Sequence, residues 1–294
     1  MTKIVVIAGP TASGKSDLAI SVAQRFNGEI VSADAMQIYR GLDIGTAKVT
    51  KAERELVPHH LIDIVDMTDK FSVAEFVTRA DQVINDIAKR GKLPVIAGGT
   101  GFYVKALLGQ QPLDFVASDE AEVVLLKQKS LPALVTMLKA ANTILASRVD
   151  LNNKQRVIRA IQIARHGKRQ EDISRPTYDA LIVGIDWPRE ILYERINRRA
   201  QKMLDDGLLS EVEHIMSVGG ESIQAGKAID YKEFFPYIRG EVTREQALLA
   251  VQQDSRRYAK RQLTYLRHQI PGLIWLHGTD AATKLTSEVK AWLD

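Results

Sequence analysis

Gly9-Pro10-Thr11-Ala12-Ser13-Gly14-Lys15-Ser16 is the run whose residue types and spacing point most directly at chemistry. It has the G-x-x-x-x-G-K-S pattern of a phosphate-binding loop, also known as an ATP-binding motif. The glycines let the backbone curl so that N–H groups converge on phosphate oxygens. A helix starting at the end of the loop adds the positive end of its dipole. Lys15 is placed to bridge two phosphates and the Ser16 hydroxyl to ligate Mg²⁺. The motif predicts an oligophosphate or pyrophosphate ligand. It does not say which one, or whether a phosphoryl group moves.

Two other loops belong to the same chemistry if the elements around them are strands. In an open α/β sheet, ligands collect beyond the carboxyl ends of the strands. Glu29–Ala33 reads as a strand that ends at Asp34, and Leu93–Ala97 as one that runs into Gly98-Gly99-Thr100-Gly101. Asp34 therefore stands where a site residue should, although capping the following turn suits an aspartate equally well. A P-loop ATPase commonly ends its second site strand in Asp or Glu to hold the Mg²⁺ shell. Here the loop offers backbone N–H groups and one hydroxyl, which argues against an NTP-hydrolysing motor.

The elements that must position these loops follow from periodicity. Ile4–Ala8 reads as a buried parallel strand leading into the phosphate loop, with a helix from Asp17. Leu61–Val65 reads as another strand. Residues 71–90 carry a helical stripe with Ser72 and Glu75 as a capping box and Gly91 as the stop. Helical stretches at 119–129, 131–146 and 153–166 suggest a small helical insert. Val183–Pro188 looks like a strand returning to the sheet. Charged helices follow from Arg189 to Met203 and on to about Val218, then a long one at 244–269 and a last strand at Leu273–Leu276. The fold class expected is α/β: a P-loop NTPase-like parallel sheet flanked by helices. Residues 1–112 and 181–294 would form the core and 113–180 the insert.

Composition narrows the class further. The 294 residues include no cysteine, which removes disulfides, cysteine zinc sites and thiol nucleophiles. No pair among the six histidines has a helical metal spacing, and His59-His60 reads as structural or hydrogen-bonding. The sequence opens directly into a strand and holds no apolar run near the ~18 residues of a membrane span. A soluble, cytoplasmic protein is expected, without membrane association. The net charge is +4, and residues 151–270 carry 21 Lys and Arg, 15 of them Arg, against 16 Asp and Glu. Arginine's planar fork suits phosphate, so nucleic acid is a partner to test, with a solvated face as the plain alternative.

Taken in order, these runs resemble one family, the tRNA dimethylallyltransferases or tRNA isopentenyltransferases. The matching stretches are 9–16, Ser-Ala-Asp-Ala-Met-Gln-Ile-Tyr-Arg-Gly-Leu-Asp-Ile-Gly-Thr-Ala-Lys (32–48) and Pro-His-His-Leu-Ile-Asp (58–63). They continue with Gly-Gly-Thr-Gly-Phe-Tyr (98–103), Arg-Val-Ile-Arg-Ala (156–160), Tyr-Lys-Glu (231–233) and Tyr-Ala-Lys-Arg-Gln-Leu-Thr (258–264). The resemblance implies transfer of a dimethylallyl group from dimethylallyl diphosphate to N6 of the adenosine 3′-adjacent to the anticodon (position 37). The tRNAs are those reading codons that begin with U, and pyrophosphate is released. It implies Mg²⁺ on Ser16 and a diphosphate held by Gly9, Pro10, Thr11, Ala12, Ser13, Gly14, Lys15 and Ser16. Asp34 would be the base and Thr100 a neighbour of the amine or phosphates. Arg199 would face the diphosphate.

The resemblance also implies tRNA contacts from Asp34, Ala35, Met36, Gln37 and Thr100, and from Gln155, Arg156, Val157, Ile158 and Arg159. Lys232, Arg257, Lys260, Arg261 and Arg267 complete that set, with the insert clamping the anticodon stem. A monomer is expected. Three departures stand out. Asp230 occupies a position usually glycine, Asp150-Leu151-Asn152-Asn153 replaces a His-Pro-Asn pattern, and the insert is short. The missing cysteines exclude the zinc finger of eukaryotic relatives and fit a bacterial-type enzyme. The rival readings are an adenine-nucleotide isopentenyltransferase, a small-molecule P-loop kinase and a non-catalytic RNA-binding protein.

Overall fold

In the computed structural model, which describes residues 1–111, 113, 118–167 and 175–294, the apolar runs become the strands of one parallel sheet. The order is β1 (Thr2–Ala8), α1 (Lys15–Arg25), β2 (Gly28–Ser32), α2 (Lys51–Leu56), β3 (His59–His60), α3 (Val73–Lys89), β4 (Leu93–Gly98) and α4 (Gly101–Leu107). Then come α5 (Glu120–Lys127), α6 (Leu131–Ala141), α7 (Thr143–Arg148) and α8 (Lys154–His166). The chain continues with β5 (Tyr178–Asp186), α9 (Arg189–Asp205), α10 (Leu208–Val218), α11 (Phe235–Ile238), α12 (Arg244–Gln269), β6 (Ile274–His277) and α13 (Ala281–Leu293). The α/β class with a parallel sheet and flanking helices is borne out.

The strand order is β3-β2-β4-β1-β5-β6, with every neighbouring pair parallel. Ile4 to Ala8 are fully buried, as expected of a strand covered on both faces. From β1 the chain moves to β2 on one side and later reaches β5 on the other, so the end of β1 lies at the point where strand order reverses. The register there aligns three strand ends, with Ala8 opposite Gly98 and Ser32 opposite Ala97. This alignment brings the phosphate loop, the Asp34 segment and the Gly98–Gly101 loop to one edge of the sheet. Val5, Ile7, Val95 and Val183 of the sheet pack with Ala19 and Val22 of α1 and Leu285 and Val289 of α13. In α3, the capping box of Ser72 and Glu75 forms in both directions, and Phe76, Val77, Ala80, Ile84 and Ile87 are buried.

The structure corrects three local expectations. Leu61–Val65 is not a strand: Leu61 and Asp63 are left-handed, with φ of 61° and 56°. Asp63 is held by Lys48 at 2.7 Å and Arg54 at 2.8 Å, so the run coils around an ion pair, and only Val65 bridges, to Tyr39. The helix expected over 131–146 breaks at Asn142, whose side chain caps the next helix by accepting the Leu145 N–H at 2.8 Å. The sheet re-enters at Tyr178, so residues 178–180 belong to β5 and not to the insert.

The chain forms two compact units, residues 1–111 with 176–294, and residues 112–175. The smaller is built on Leu126, Leu134, Leu138, Val157, Ile158 and Ile161. Among the described residues, no helix is long and apolar enough to cross a membrane.

Candidate active site at the ends of β1, β2 and β4

A cavity of 830 Å³ opens where the three strand ends meet, and all its lining residues belong to the larger unit. Thr11 to Ser16 line one side of it, Asp34 to Gln37 another, and Gly98 and Gly99 a third. α9 contributes Arg195, Arg198, Arg199 and Lys202, and α12 contributes Ser255, Tyr258, Arg261 and Gln262.

The phosphate loop is shaped by its own backbone and then held from outside. Gly14 sits at φ +88°, a conformation glycine adopts without steric cost. The Ser13 N–H reaches back to the Pro10 carbonyl at 3.3 Å. Arg195 Nε donates to the Ala12 carbonyl at 2.8 Å, and Trp187 Nε1 to the Ser13 carbonyl at 3.0 Å. The same Arg195 guanidinium stacks on the Trp187 ring. With these two carbonyls tied to α9 and Trp187, the first N–H groups of α1, which lack intrahelical partners, are left for a ligand. The Ser13 hydroxyl is buried without a hydrogen-bond partner, a donor that a phosphate oxygen would satisfy.

Gln262 joins two of the loops. Its Oε1 accepts the Thr11 N–H at 2.9 Å and its Nε2 donates to the Gly99 carbonyl at 2.8 Å. A Cβ at position 99 would lie 2.4 Å from that amide nitrogen, so only glycine permits the contact. Among the described residues Asp34 uses Oδ1 to accept the Met36 N–H at 2.9 Å and makes no hydrogen bond through Oδ2. That fixes the carboxylate at the mouth of β2 with one oxygen available as a proton acceptor.

Electrostatics link the loops. Burial holds the Lys15 ammonium down to a pKa of about 8; the Asp34 charge pulls it up and that of Arg199 pushes it down. Lys15 itself donates to the Pro10 carbonyl at 2.8 Å. Burial, reinforced by Asp34, pushes the Tyr258 phenol up to about 12. Ser16 lines the same cavity, and its hydroxyl is the oxygen a magnesium ion would use there. No cluster of three or more His, Cys, Asp or Glu that could hold a metal exists among the described residues. Ser16 would supply one oxygen and the ligand phosphates and water the rest, the usual arrangement for Mg²⁺.

The expected site residues fall into three groups. Thr11 to Ser16, Asp34, Ala35, Met36, Gln37, Arg199, Lys232 and Arg261 all line the cavity. Gly9 and Pro10 form the entry to the loop. Thr100 acts one step back: its Oγ1 accepts the Ala35 N–H at 3.1 Å, so it holds the residue after Asp34. The Gln37 amide is engaged by Ser32, Thr46 and Ala47.

The remaining candidates lie elsewhere. Arg257, Lys260 and Arg267 are exposed on α12, and Arg267 is paired with Asp186 at 2.7 Å. Gln155 and Arg156 are exposed on α8, with Arg159 beside them at intermediate exposure. Val157 and Ile158, expected among the RNA contacts, do not present their side chains to solvent. Both are buried in the core of the smaller unit, because they fall on the inward stripe of the helix. His60 and His59 are hydrogen-bonded, to Glu29 and the Val57 carbonyl.

Arg195, Tyr258, Gln262 and Glu211 are not singled out by the sequence, although Tyr258 and Gln262 lie within the matching stretch 258–264. Arg195 carries a weaker signal, lying one turn before Arg199 on the same helix face. Glu211 accepts the N–H groups of Asp43, Ile44 and Gly45 and the Tyr231 hydroxyl, pinning the loop that follows the Asp34 segment.

Comparison with known proteins agrees with this geometry. A family model described as IPP transferase matches residues 37–269. The chain is 99% identical over its full length, and the full length of the relative, to a tRNA dimethylallyltransferase of Leuconostoc citreum. It is similar to the solved structure of the full-length tRNA isopentenylpyrophosphate transferase of Bacillus halodurans, with 38% identity and a TM-score of 0.76, covering 100% of this chain and 97% of that one. It is also similar to a eukaryotic dimethylallyltransferase acting on tRNA, with 28% identity and a TM-score of 0.83, over 99% of this chain and 78% of that one.

Proposed function

This chain belongs to the IPP transferase family, and we propose that it is a tRNA dimethylallyltransferase whose cavity joins dimethylallyl diphosphate to an anticodon-loop adenosine. One observation carries the reading. A phosphate loop and a hydrogen-bond-fixed carboxylate, Asp34, line the same cavity, and Asp34 and Arg199 both act electrostatically on Lys15 of that loop.

The reaction breaks the bond between the allylic C1 and the diphosphate oxygen and forms a bond from the adenine N6 to C1. Negative charge develops on the departing oxygens. The α1 N–H groups, the Ser13 hydroxyl, Lys15 and Arg199 would meet that charge. Mg²⁺ on Ser16 would add to the neutralisation. The N6 lone pair is conjugated with its ring, so the amine gains nucleophilicity as Asp34 Oδ2 takes its proton. Thr100 and Met36 hold the Asp34 segment while this happens. The target base must leave its stack to enter. The acceptor is the adenosine 3′ of the anticodon in tRNAs reading U-initial codons.

Arg261 at the cavity, with Arg257 and Lys260 further along α12, meets RNA phosphates. The 112–175 unit grips the anticodon stem through Gln155 and Arg156. The protein is read as a monomer, and a tRNA substrate supports work in the cytoplasm.

The test is incubation with labelled dimethylallyl diphosphate, Mg²⁺ and unmodified tRNA, then digestion and nucleoside chromatography. Label on anticodon-loop adenosine is expected. Label on added AMP alone would move the protein to nucleotide prenylation, and ATP consumption without prenyl transfer would make it a kinase.

A further inference from the structure

We propose that Asp230 is a fixed counter-charge in the diphosphate site, which loosens the grip of Arg199 and so speeds departure of pyrophosphate. The inference rests on the prenyl-transfer reading above. Asp230 is buried, lines the cavity, and sits at φ +80°. Glycine meets that backbone at the least cost, while an aspartate is strained there. A carboxylate at this place needs a reason: burial disfavours its charge, while Arg199 and the Ser255 hydroxyl favour it.

The carboxylate is held independently of the arginine. The Asp230 N–H donates to Glu233 Oε2 at 3.0 Å, and Oδ1 accepts from the Ser255 hydroxyl at 3.1 Å. Oδ2 lies 3.9 Å from Arg199 Nη2, within ion-pair range but beyond a hydrogen bond. Arg199 can therefore leave for a ligand while Asp230 stays where it is.

An anion fixed beside a cation lowers the attraction that cation offers to any diphosphate, and repels the diphosphate directly. The penalty is unequal. Cleavage of the C–O bond turns an esterified diphosphate into free pyrophosphate with one more ionised oxygen. Asp230 therefore disfavours product more than substrate. Lys15, the α1 N–H groups and the Ser13 hydroxyl remain to hold the substrate.

The experiment measures binding of pyrophosphate and of dimethylallyl diphosphate to the full chain by calorimetry, at fixed magnesium, for wild type, Asp230→Asn and Asp230→Gly. Asparagine keeps the shape and tolerates the left-handed backbone; glycine relieves the strain, so a folded variant is secured. Both variants are expected to bind pyrophosphate about three- to tenfold tighter, and dimethylallyl diphosphate by a smaller factor. Product inhibition by pyrophosphate rises in parallel.

Unchanged or weaker pyrophosphate binding overturns the proposal. So does tightening in the glycine variant alone, which would make strain the cause. A gain of undiminished size in an Arg199→Gln background would also overturn it, because Asp230 would not be acting through Arg199. Wild-type protein that binds ATP but neither diphosphate would instead remove the prenyl-transfer reading, and this inference with it.

Discussion

Gln262 Oε1 accepts the backbone N–H of Thr11 at 2.9 Å, a hydrogen bond that spans 251 residues of sequence. The other end of the same amide donates to Gly99. One side chain of α12 thus sets the spacing between the phosphate loop and the end of β4. Replacing it with alanine leaves a part-buried N–H and a buried carbonyl without partners. Gln262→Ala is expected to cost about 1–3 kcal/mol of stability in denaturant unfolding and to weaken pyrophosphate binding. A variant that loses stability but binds pyrophosphate as before would show that the loop keeps its shape without the clip.

Asp34 is expected to act in the chemical step. Asp34→Asn preserves the Met36 contact and removes the proton acceptor. Turnover should fall by about 10²–10⁴-fold, the usual worth of a general base, while tRNA affinity stays near wild type. Filter binding and single-turnover transfer on the same preparations would check this. Parallel losses in both would make Asp34 a positioning residue.

Lys15 gives the site a pH dependence with a definite sign. Its pKa is about 8 in the free protein, because burial disfavours the charged form. A bound diphosphate favours that form and raises the pKa, so binding takes up a proton above pH 8. Affinity for dimethylallyl diphosphate should be level in this respect below pH 8. It should fall as pH rises past 8, by up to about tenfold per unit. Calorimetry from pH 7 to 10 on wild type and Lys15→Met separates the lysine from the ligand's own titration, which the variant retains.

The basic face of α12 divides into cations with different tasks. Arg261 reaches the cavity, and Arg257 is exposed and paired with Asp254 at 3.2 Å. Arg267 is tied to Asp186 and stacked on Trp275. Neutralising Arg257 and Arg261 together should weaken tRNA binding and flatten the plot of log affinity against log salt, by about 1 in slope for each phosphate left without its cation. Arg267→Ala should lower thermal stability more than it changes that slope. Equal salt slopes for all variants would return α12 to an ordinary solvated face.

Much of the architecture was legible because its causes are local. Ile4–Ala8, the capping box at Ser72 and the long helix at 244–269 depend on residues close in sequence, and they appear as expected. Leu61–Val65 misled because four apolar residues around one Asp do not reveal that Asp63 will be claimed by Lys48, fifteen residues earlier. Val157 and Ile158 misled for a different reason. The motif carries them beside Arg156 and Arg159, and only the packed helix shows which side faces inward.

By itself the sequence determined the chemistry available to this protein: a phosphate loop, a carboxylate after one strand, a hydroxyl after another, and arginines on two helices. Those are properties of residue type and short spacing, which the chain carries before it folds. The tertiary structure decided which of them share a cavity. The β2-β4-β1 order aligns three strand ends, Arg195 and Trp187 turn the loop carbonyls outward, Gln262 sets the gap, and Asp230 is brought to Arg199 from 31 residues away. Such contacts depend on strand order and helix packing across the whole domain, and no window of the sequence contains them.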